Sequence, residues 1–233
     1  MKSLKPKHFP SLIGQSIKDL EILLMSVGEP PYRGRQLFNW IYRKKVYDLT
    51  RMTDLPKLSQ EKLKTFSIHP LKILKTNSSS SKKTQKFLFM TKNGNTIESV
   101  LMNSGNHTTV CLSTQVGCAV DCSFCATAKM GFTQNLSAGE IIDQYLQLVK
   151  LSDKKITNVV FMGMGEPFLN YENCIAAARL LNHEKGINIA ARKITISTAG
   201  IIKKIKKYTD DKHPYRLAVS LNGSNQDQRL KIM

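Results

Sequence analysis

The residues with the clearest chemical potential are three cysteines within eight positions, Cys118, Cys122 and Cys125, in the spacing C-x3-C-x2-C. Three thiolates on so short a loop can ligate three corners of one [4Fe–4S] cubane cluster. No fourth cysteine follows nearby, so one iron is left open to an outside ligand. S-adenosylmethionine (SAM) suits that position, because its amino and carboxylate groups can chelate the iron. An electron from the cluster can then break a carbon–sulfur bond of the sulfonium.

Two other interpretations of the cysteines remain open. A structural zinc site needs four closed ligands, usually as two separated pairs, whereas this loop supplies one compact triplet. The nearest candidate for a fourth ligand is His107. Alternatively, the thiols are unrelated buried residues. The spacing favours the iron–sulfur cluster, because clustered cysteines in a chain without a secretory signal indicate metal binding or catalysis.

The composition narrows the class of protein. The chain has 233 residues, of which 41% are hydrophobic, enough for one core and a small accessory unit. It contains no run of roughly 20 apolar residues, and its basic start lacks the apolar segment of a secretory signal. We therefore expect a cytoplasmic protein without membrane contact. The net charge of +18 favours a polyanion such as RNA or DNA as partner, and a solvated, lysine-rich surface is the alternative.

Apolar spacing predicts three helices near the N-terminus. The first runs from Ser16, the N-cap, to Val27, the second from Gly34 to Arg43, and the third lies near Leu58–Phe66. The second helix carries Trp40 and Tyr42 within a basic rim formed by Arg33, Arg35, Arg43, Lys44 and Lys45. Aromatic side chains among cations either stack on bases or belong to the core, and we favour the core for Trp40.

The pattern changes to strands after the Ser-rich segment 76–83, which is a connector or a hairpin tip. Strands are predicted over Lys86–Met90, Thr96–Met102 and Thr108–Ser113, with a turn at Asn93-Gly94. We therefore expect a helical accessory domain at residues 1–75, a linker with a β-element at 76–110 and a core domain at 111–233.

Strands and helices alternate in this last region. A capping box at Ser137 and Glu140 opens one helix. Two further helices cover Cys174–Leu181 and Ile201–Tyr208, and the predicted strands are Asn158–Met162, Lys193–Ser197 and Arg216–Leu221. Nearly all-apolar strands that alternate with helices predict a parallel sheet covered by helices, which is an α/β fold.

Longer motifs carry a family resemblance. Phe124 just before the last cysteine is typical of the radical SAM superfamily. The segments VCLSTQVGC, CSFCATAKMGF, ITNVVFMGMGEP, ITISTAG and LAVSLNGS, together with GEPPYRGRQLFNWIY and MTDLPK, resemble the RlmN-type adenine carbon-2 RNA methyltransferases over essentially the whole chain. The resemblance implies a partial (β/α) radical SAM barrel, incomplete at the C-terminus, with a small helical, RNA-facing domain and a β-element before it.

The resemblance also implies roles for single residues. Cys118, Cys122 and Cys125 ligate the [4Fe–4S] cluster. Gly165 and Glu166 contact SAM near its amino group. Further SAM contacts at the ends of later strands are Ser197, Ser220, Leu221 and Asn222. Ligand residues at the C-terminal ends of successive strands are typical of a βα-barrel site. Many relatives have histidine at the position of Asn222, so that contact differs in detail.

Two residues outside the loop are implied in catalysis. Glu98 falls where the family places its general base, a carboxylate that takes a proton from the adenine carbon. Cys111 matches the resolving cysteine, whose thiolate attacks a sulfur to free the methylated product. Without the resemblance, Glu98 would be read as a solvent-facing strand residue and Cys111 as a buried one. Cys174 matches no functional position and is expected in the core of a helix.

The family's reaction also uses a methyl-accepting cysteine in its C-terminal region, and none of the five cysteines here matches it. We therefore expect this chain alone to be incomplete or inactive, as a fragment, a degraded gene product or half of a split enzyme with a separate C-terminal half. The implied partners are 23S rRNA, tRNA and an electron donor such as flavodoxin or ferredoxin. The alternatives are an inactive RNA-binding remnant and another radical SAM enzyme.

Overall fold

The computed structural model describes residues 11–233, so the basic start of the chain lies outside the described residues. Three α-helices come first: α1 (Ile17–Ser26), α2 (Tyr32–Phe38) and α3 (Lys57–Leu63). The first helix begins where the sequence predicts, because the Ser16 hydroxyl accepts a hydrogen bond from the Asp19 N–H and the Asp19 carboxylate accepts one from the Ser16 N–H. Its apolar face buries Leu20, Leu23 and Leu24.

The second predicted helix is divided into two kinds of helix. A π-helix over Asn39–Lys44 continues directly from α2 and ends at Lys45, which has a left-handed backbone. Trp40 is buried and its indole N–H donates to the Asp54 carboxylate, which confirms that Trp40 belongs to the core. The Tyr42 hydroxyl is also buried, accepts from the Gly14 N–H and donates to the Gln15 carbonyl. Neither ring is free to stack on a base.

A single seven-stranded sheet forms the centre of the molecule, in the order β1-β2-β3-β4-β7-β8-β9. Its antiparallel half consists of β1 (Leu71–Ser78), β2 (Thr84–Thr91), β3 (Thr96–Ser104) and β4 (His107–Cys111). Segment 76–83 therefore contains the end of β1 and the tip of the β1–β2 hairpin. Of the two predictions for this segment, a connector or a hairpin tip, the hairpin tip is the one that the structure has. Strand β1 itself was missed, because its polar residues, largely exposed, hide the alternation.

The other half of the sheet is parallel, as predicted. Strand β4 pairs with β7 (Asn158–Phe161), followed by β8 (Ile194–Thr198) and β9 (Arg216–Val219). The accompanying helices are α4 (Ala138–Leu151), α5 (Tyr171–Asn182), α6 (Ile202–Asp210) and α7 (Gln226–Leu230). Cys174 is buried in α5, as expected. The architecture is α/β, and the sheet continues across residues 110 and 111, where we predicted a domain boundary.

A two-stranded ribbon, β5 (Gln115–Gly117) with β6 (Phe132–Asn135), frames the cysteine loop and was not predicted. Short 3₁₀ turns lie at Leu49–Arg51, Ala128–Met130, Pro167–Asn170 and Ala191–Lys193. Within residues 11–233, none of the helices combines the length and the apolar character that crossing a bilayer requires.

Candidate active site

One cavity of about 320 Å³ collects most of the predicted site residues. It lies where the parallel strands β7, β8 and β9 end, beside the loop between β5 and β6. Among its lining residues are Cys118, Cys122, Cys125, Gly165, Glu166, Ser197, Ser220 and Asn222. A cavity of this volume lies in the range of small-molecule sites, and its position at the carboxyl ends of the strands is where barrel enzymes bind their ligands.

The three cysteine side chains are partly buried at this cavity. The Cys118 N–H donates to the Gly131 carbonyl at 3.0 Å, which fixes the loop to the start of β6. The Cys125 N–H donates to the Cys122 carbonyl at 3.0 Å, closing the turn between them. Burial raises the pKa of the Cys118 and Cys122 thiols, and the negative charge of Glu166 adds to both shifts.

The donor set fits an iron–sulfur cluster better than a zinc ion. Thiolates are soft ligands that select such clusters, and three of them face one cavity with no fourth cysteine in its lining. Within residues 11–233, no three His, Cys, Asp or Glu side chains lie close enough together to hold one metal ion, and this includes the three loop cysteines. His107, the nearest candidate for a fourth zinc ligand, lies at the start of β4, whereas the cysteines line the cavity where the parallel strands end.

Packing inside the protein requires a glycine at position 165, in the GMGEP turn. Gly165 has a φ of +97°, and a Cβ there would lie 2.5 Å from the Cβ of Gln115. The space that a side chain would need at Gly165 is occupied by the Gln115 side chain. Gln115 in turn accepts from the Glu166 N–H at 2.8 Å and donates to Asn135 at 2.8 Å, so it joins the turn to the β5–β6 ribbon.

Glu166 is a buried carboxylate, only 4% exposed, at the wall of the cavity. One of its oxygens accepts from the Phe168 N–H at 2.9 Å and the other from the Ala199 N–H at 2.7 Å. These bonds hold the turn after β7 against the turn after β8. Because a carboxylate has about four acceptor positions, Glu166 keeps capacity for a cationic ligand group.

The strand-end residues divide into two groups. Ser197, Ser220 and Asn222 line the cavity, and Asn222 has a left-handed backbone with a φ of 52°. Leu221 does not line it and is 66% exposed. The Arg229 guanidinium donates to the Ser220 carbonyl at 2.9 Å and holds this segment in place.

Glu98 and Cys111 lie outside this cavity. Glu98 lines a neighbouring cavity of about 240 Å³, together with Ala126, Thr127, Met130 and Met164. Its carboxylate is half-exposed and forms an ion pair with Lys86, Nζ to Oε1, at 2.9 Å. Cys111 ends β4 and is buried; burial raises the pKa of its thiol to about 11, against a smaller opposing effect from a backbone hydrogen bond at Met162.

The two cavities are connected by buried polar residues that the sequence analysis did not single out. Ser113, Gln115, Gln144 and Asn170 are each almost fully buried. The Asn170 amide donates to the Thr114 and Leu136 carbonyls at 2.8 and 2.7 Å, and Gln144 bonds to the backbone of Ser113 in both directions. Polar residues directly after a buried strand, as in LSTQVG, were the available signal.

Known proteins share both parts of this architecture. Residues 11–68 match the family model for the ribosomal RNA large subunit methyltransferase N-terminal domain, and residues 112–233 match the radical SAM superfamily. A protein of Aquifex aeolicus named "Probable dual-specificity RNA methyltransferase RlmN" is 45% identical over 222 residues, covering 94% of this chain and 63% of that protein. The chain belongs to the RlmN family of radical SAM proteins.

Other relatives match this chain with similar identity and coverage. The Thermotoga neapolitana protein of the same name is 46% identical over 96% of this chain and 65% of its own length. A crystal structure of a radical SAM methyltransferase from Sphaerobacter thermophilus is 42% identical, with a TM-score of 0.90 over 96% of this chain and 67% of that one. The likeness confirms the expected partial radical SAM barrel. The chain spans less than two thirds of the curated RlmN proteins that it matches.

Proposed function

We propose that this chain provides the cluster- and SAM-binding part of a radical SAM RNA methyltransferase, which methylates carbon 2 of adenosine in 23S rRNA and tRNA. The observation that carries the proposal is the single cavity in which three cysteine thiols face Glu166 and the ends of β7, β8 and β9. Membership of the RlmN family supports RNA as the substrate class.

The residues of this cavity have distinct roles in the proposal. Cys118, Cys122 and Cys125 hold the cluster, and the remaining iron is open to SAM. Glu166 receives the SAM amino group, and Ser197, Ser220 and Asn222 contact the rest of the cofactor from the strand ends. Leu221 contributes through its backbone, since its side chain points away. When bound, the cluster and SAM together supply one-electron chemistry that produces a carbon-centred radical.

The second cavity receives the target base in this proposal. Glu98 takes the proton from the adenine carbon, and its carboxylate forms an ion pair with the nearby Lys86. Cys111 acts later, as the resolving thiol. The target nucleotide has to leave its stack so that its carbon 2 can reach Glu98. Electrons come from a flavodoxin or ferredoxin, and the reaction takes place in the cytoplasm. The methyl-accepting cysteine comes from a C-terminal segment, which we propose as a further partner.

Anaerobic reconstitution tests the proposal. With iron and sulfide the chain should take up about four irons and four acid-labile sulfides. With a reductant and SAM it should release 5′-deoxyadenosine. Cys122→Ala should abolish both, whereas Cys174→Ala, a cysteine buried away from the cavity, should leave iron uptake unchanged. A chain that binds zinc or no metal at the loop would contradict the proposal.

Assays with RNA separate the remaining alternatives. Release of 5′-deoxyadenosine without carbon-2 methyladenosine, even when a relative's C-terminal segment is added, would indicate another radical SAM reaction. Salt-sensitive RNA binding that survives alanine at all three loop cysteines, without iron uptake, would indicate an RNA-binding remnant.

A further inference from the structure

A larger cavity, of about 700 Å³, lies at the opposite end of the parallel strands from the cysteine loop. Its wall combines Lys45, at the end of the π-helix, with residues that precede β7 and β8. Three of these are lysines: Lys154, Lys155 and Lys193. We call the concave surface that carries these four cations the lysine groove.

Within the part of the chain that the structure describes, the four cations of the lysine groove form no ion pair. Lysines elsewhere do form ion pairs, such as Lys62 with Glu29 and Lys207 with Asp211. Asp153 is the one acidic residue in the described lining. Four cations around one concave surface repel each other, and the groove concentrates the positive potential. This arrangement costs stability unless an anionic partner neutralises it.

The geometry points to RNA as the occupant, and we infer that the lysine groove binds the phosphate backbone of the substrate RNA at a segment away from the target nucleotide. The inference rests on the proposed function for the nature of the polyanion. Strand β7 has four residues and spans about 13 Å, so the groove and the cysteine cavity face different parts of the molecule. The groove therefore contributes affinity and orientation, whereas the cavity carries the chemistry.

The test compares two triple variants of equal charge. The groove variant carries Lys154→Gln, Lys155→Gln and Lys193→Gln. Lys45 is left unchanged because its φ of 56° makes substitution there a backbone experiment as well. The control variant carries glutamine at three lysines of α6 that also form no ion pair in the described chain: Lys203, Lys204 and Lys206. An unmodified tRNA transcript with a fluorescent label serves as the probe.

We expect the groove variant to bind the transcript about tenfold or more weakly at moderate salt, and the slope of log Kd against log salt to fall by about two, since each lost phosphate contact removes about 0.7–0.9 from it. The control variant should retain most of its affinity, and SAM binding by the reconstituted protein should be unchanged in both. Equal losses of affinity in the two variants would mean that RNA is attracted by the overall positive charge, and would overturn the inference. A groove variant that binds like the parent chain would also overturn it, while the proposed function stands. If the parent chain binds no RNA, the proposed substrate class fails as well.

Discussion

The Ser113 hydroxyl donates to the Glu98 carbonyl oxygen at 2.5 Å. The same hydroxyl accepts from the Met164 N–H at 2.8 Å, and the Glu98 N–H donates to the Met164 sulfur at 3.3 Å. One buried side chain therefore ties the backbone of the proposed base to the loop that continues into Glu166. Ser113 fixes the spacing between the two cavities.

Removal of the Ser113 hydroxyl should lower the free energy of unfolding. Ser113→Ala leaves the Glu98 carbonyl and the Met164 N–H without this partner in a buried place, which typically costs about 1–3 kcal/mol. Urea unfolding measures the change. Ser104→Ala is the control. Ser104 lies at the exposed end of β3, the strand that carries Glu98, and the free energy of unfolding of this variant should stay within about 0.5 kcal/mol of the parent. Equal effects of the two changes would show that the Ser113 bridge contributes nothing.

A second prediction separates steric from backbone requirements at Gly165. Gly165→Ala adds a Cβ that lies 2.5 Å from the Gln115 side chain, at a φ of +97°. Gly94→Ala, in the β2–β3 turn, has a φ of +82° but open space around the added atom. The Gly94 change should cost about 1 kcal/mol for the backbone alone. The Gly165 change should cost at least about 1 kcal/mol more, because Gln115 has to move. Thermal and urea unfolding of both variants check the difference, and equal costs would refute the steric argument.

The cysteines should differ in their reaction with iodoacetamide. The thiolate is the reactive form, and burial raises the pKa of Cys111 to about 11. Cys111 should therefore react slowly at pH 8, and its rate should rise with pH towards that value. The three cysteines of the loop, which are more exposed, should react first, and Cys174, which is 1% exposed, last. Peptide mass spectrometry after short alkylation pulses gives the order. Fast labelling of Cys111 at pH 8 would contradict its burial.

Glu166 should affect stability and cofactor binding together. In Glu166→Gln a single amide oxygen replaces the two carboxylate oxygens that accept from the Phe168 and Ala199 N–H groups. The new NH₂ group faces one of these two N–H donors. The loss should be about 1–3 kcal/mol in urea unfolding. SAM binding to the reconstituted protein, measured by equilibrium dialysis, should fall about tenfold as the charge attraction to its amino group is lost. Glu172→Gln, an exposed carboxylate on α5, is the matched control and should change neither quantity. Normal SAM binding by the Glu166 variant would remove this residue from the proposed site.

Local signals in the sequence predicted much of the fold. The capping boxes at Ser16 and Ser137 involve residues three positions apart, so the chain itself carries the information. The parallel strands were predictable because short, largely apolar runs alternate with helices along the chain, although burial alternates along β7 and β8 and no residue of β9 is fully buried. The gathering of the cysteine loop and GMGEP at one cavity agrees with their placement at strand ends.

Contacts between distant residues could not be read in the same way. The packing of Gln115 against Gly165 joins residues 50 positions apart, and nothing local distinguishes it from a ligand requirement. Asp143 lies on α4 and is fully buried, where its carboxylate accepts from the Leu71 N–H at 3.0 Å and contacts His69. A charged residue on a helix would ordinarily be assigned to the surface. Only the approach of β1 to α4 reveals its role.

The mixed sheet has a mechanical consequence. Strand β3, which carries Glu98, is separated from β7, which leads to Glu166, by β4 alone, and all three are hydrogen-bonded into one sheet. The two cavities therefore share a stiff frame, and a molecule that tightens the loop after β7 should also slow amide exchange along β3. A ligand bound in one cavity should thus reduce the mobility of the residues that line the other, because the strands between them are rigid.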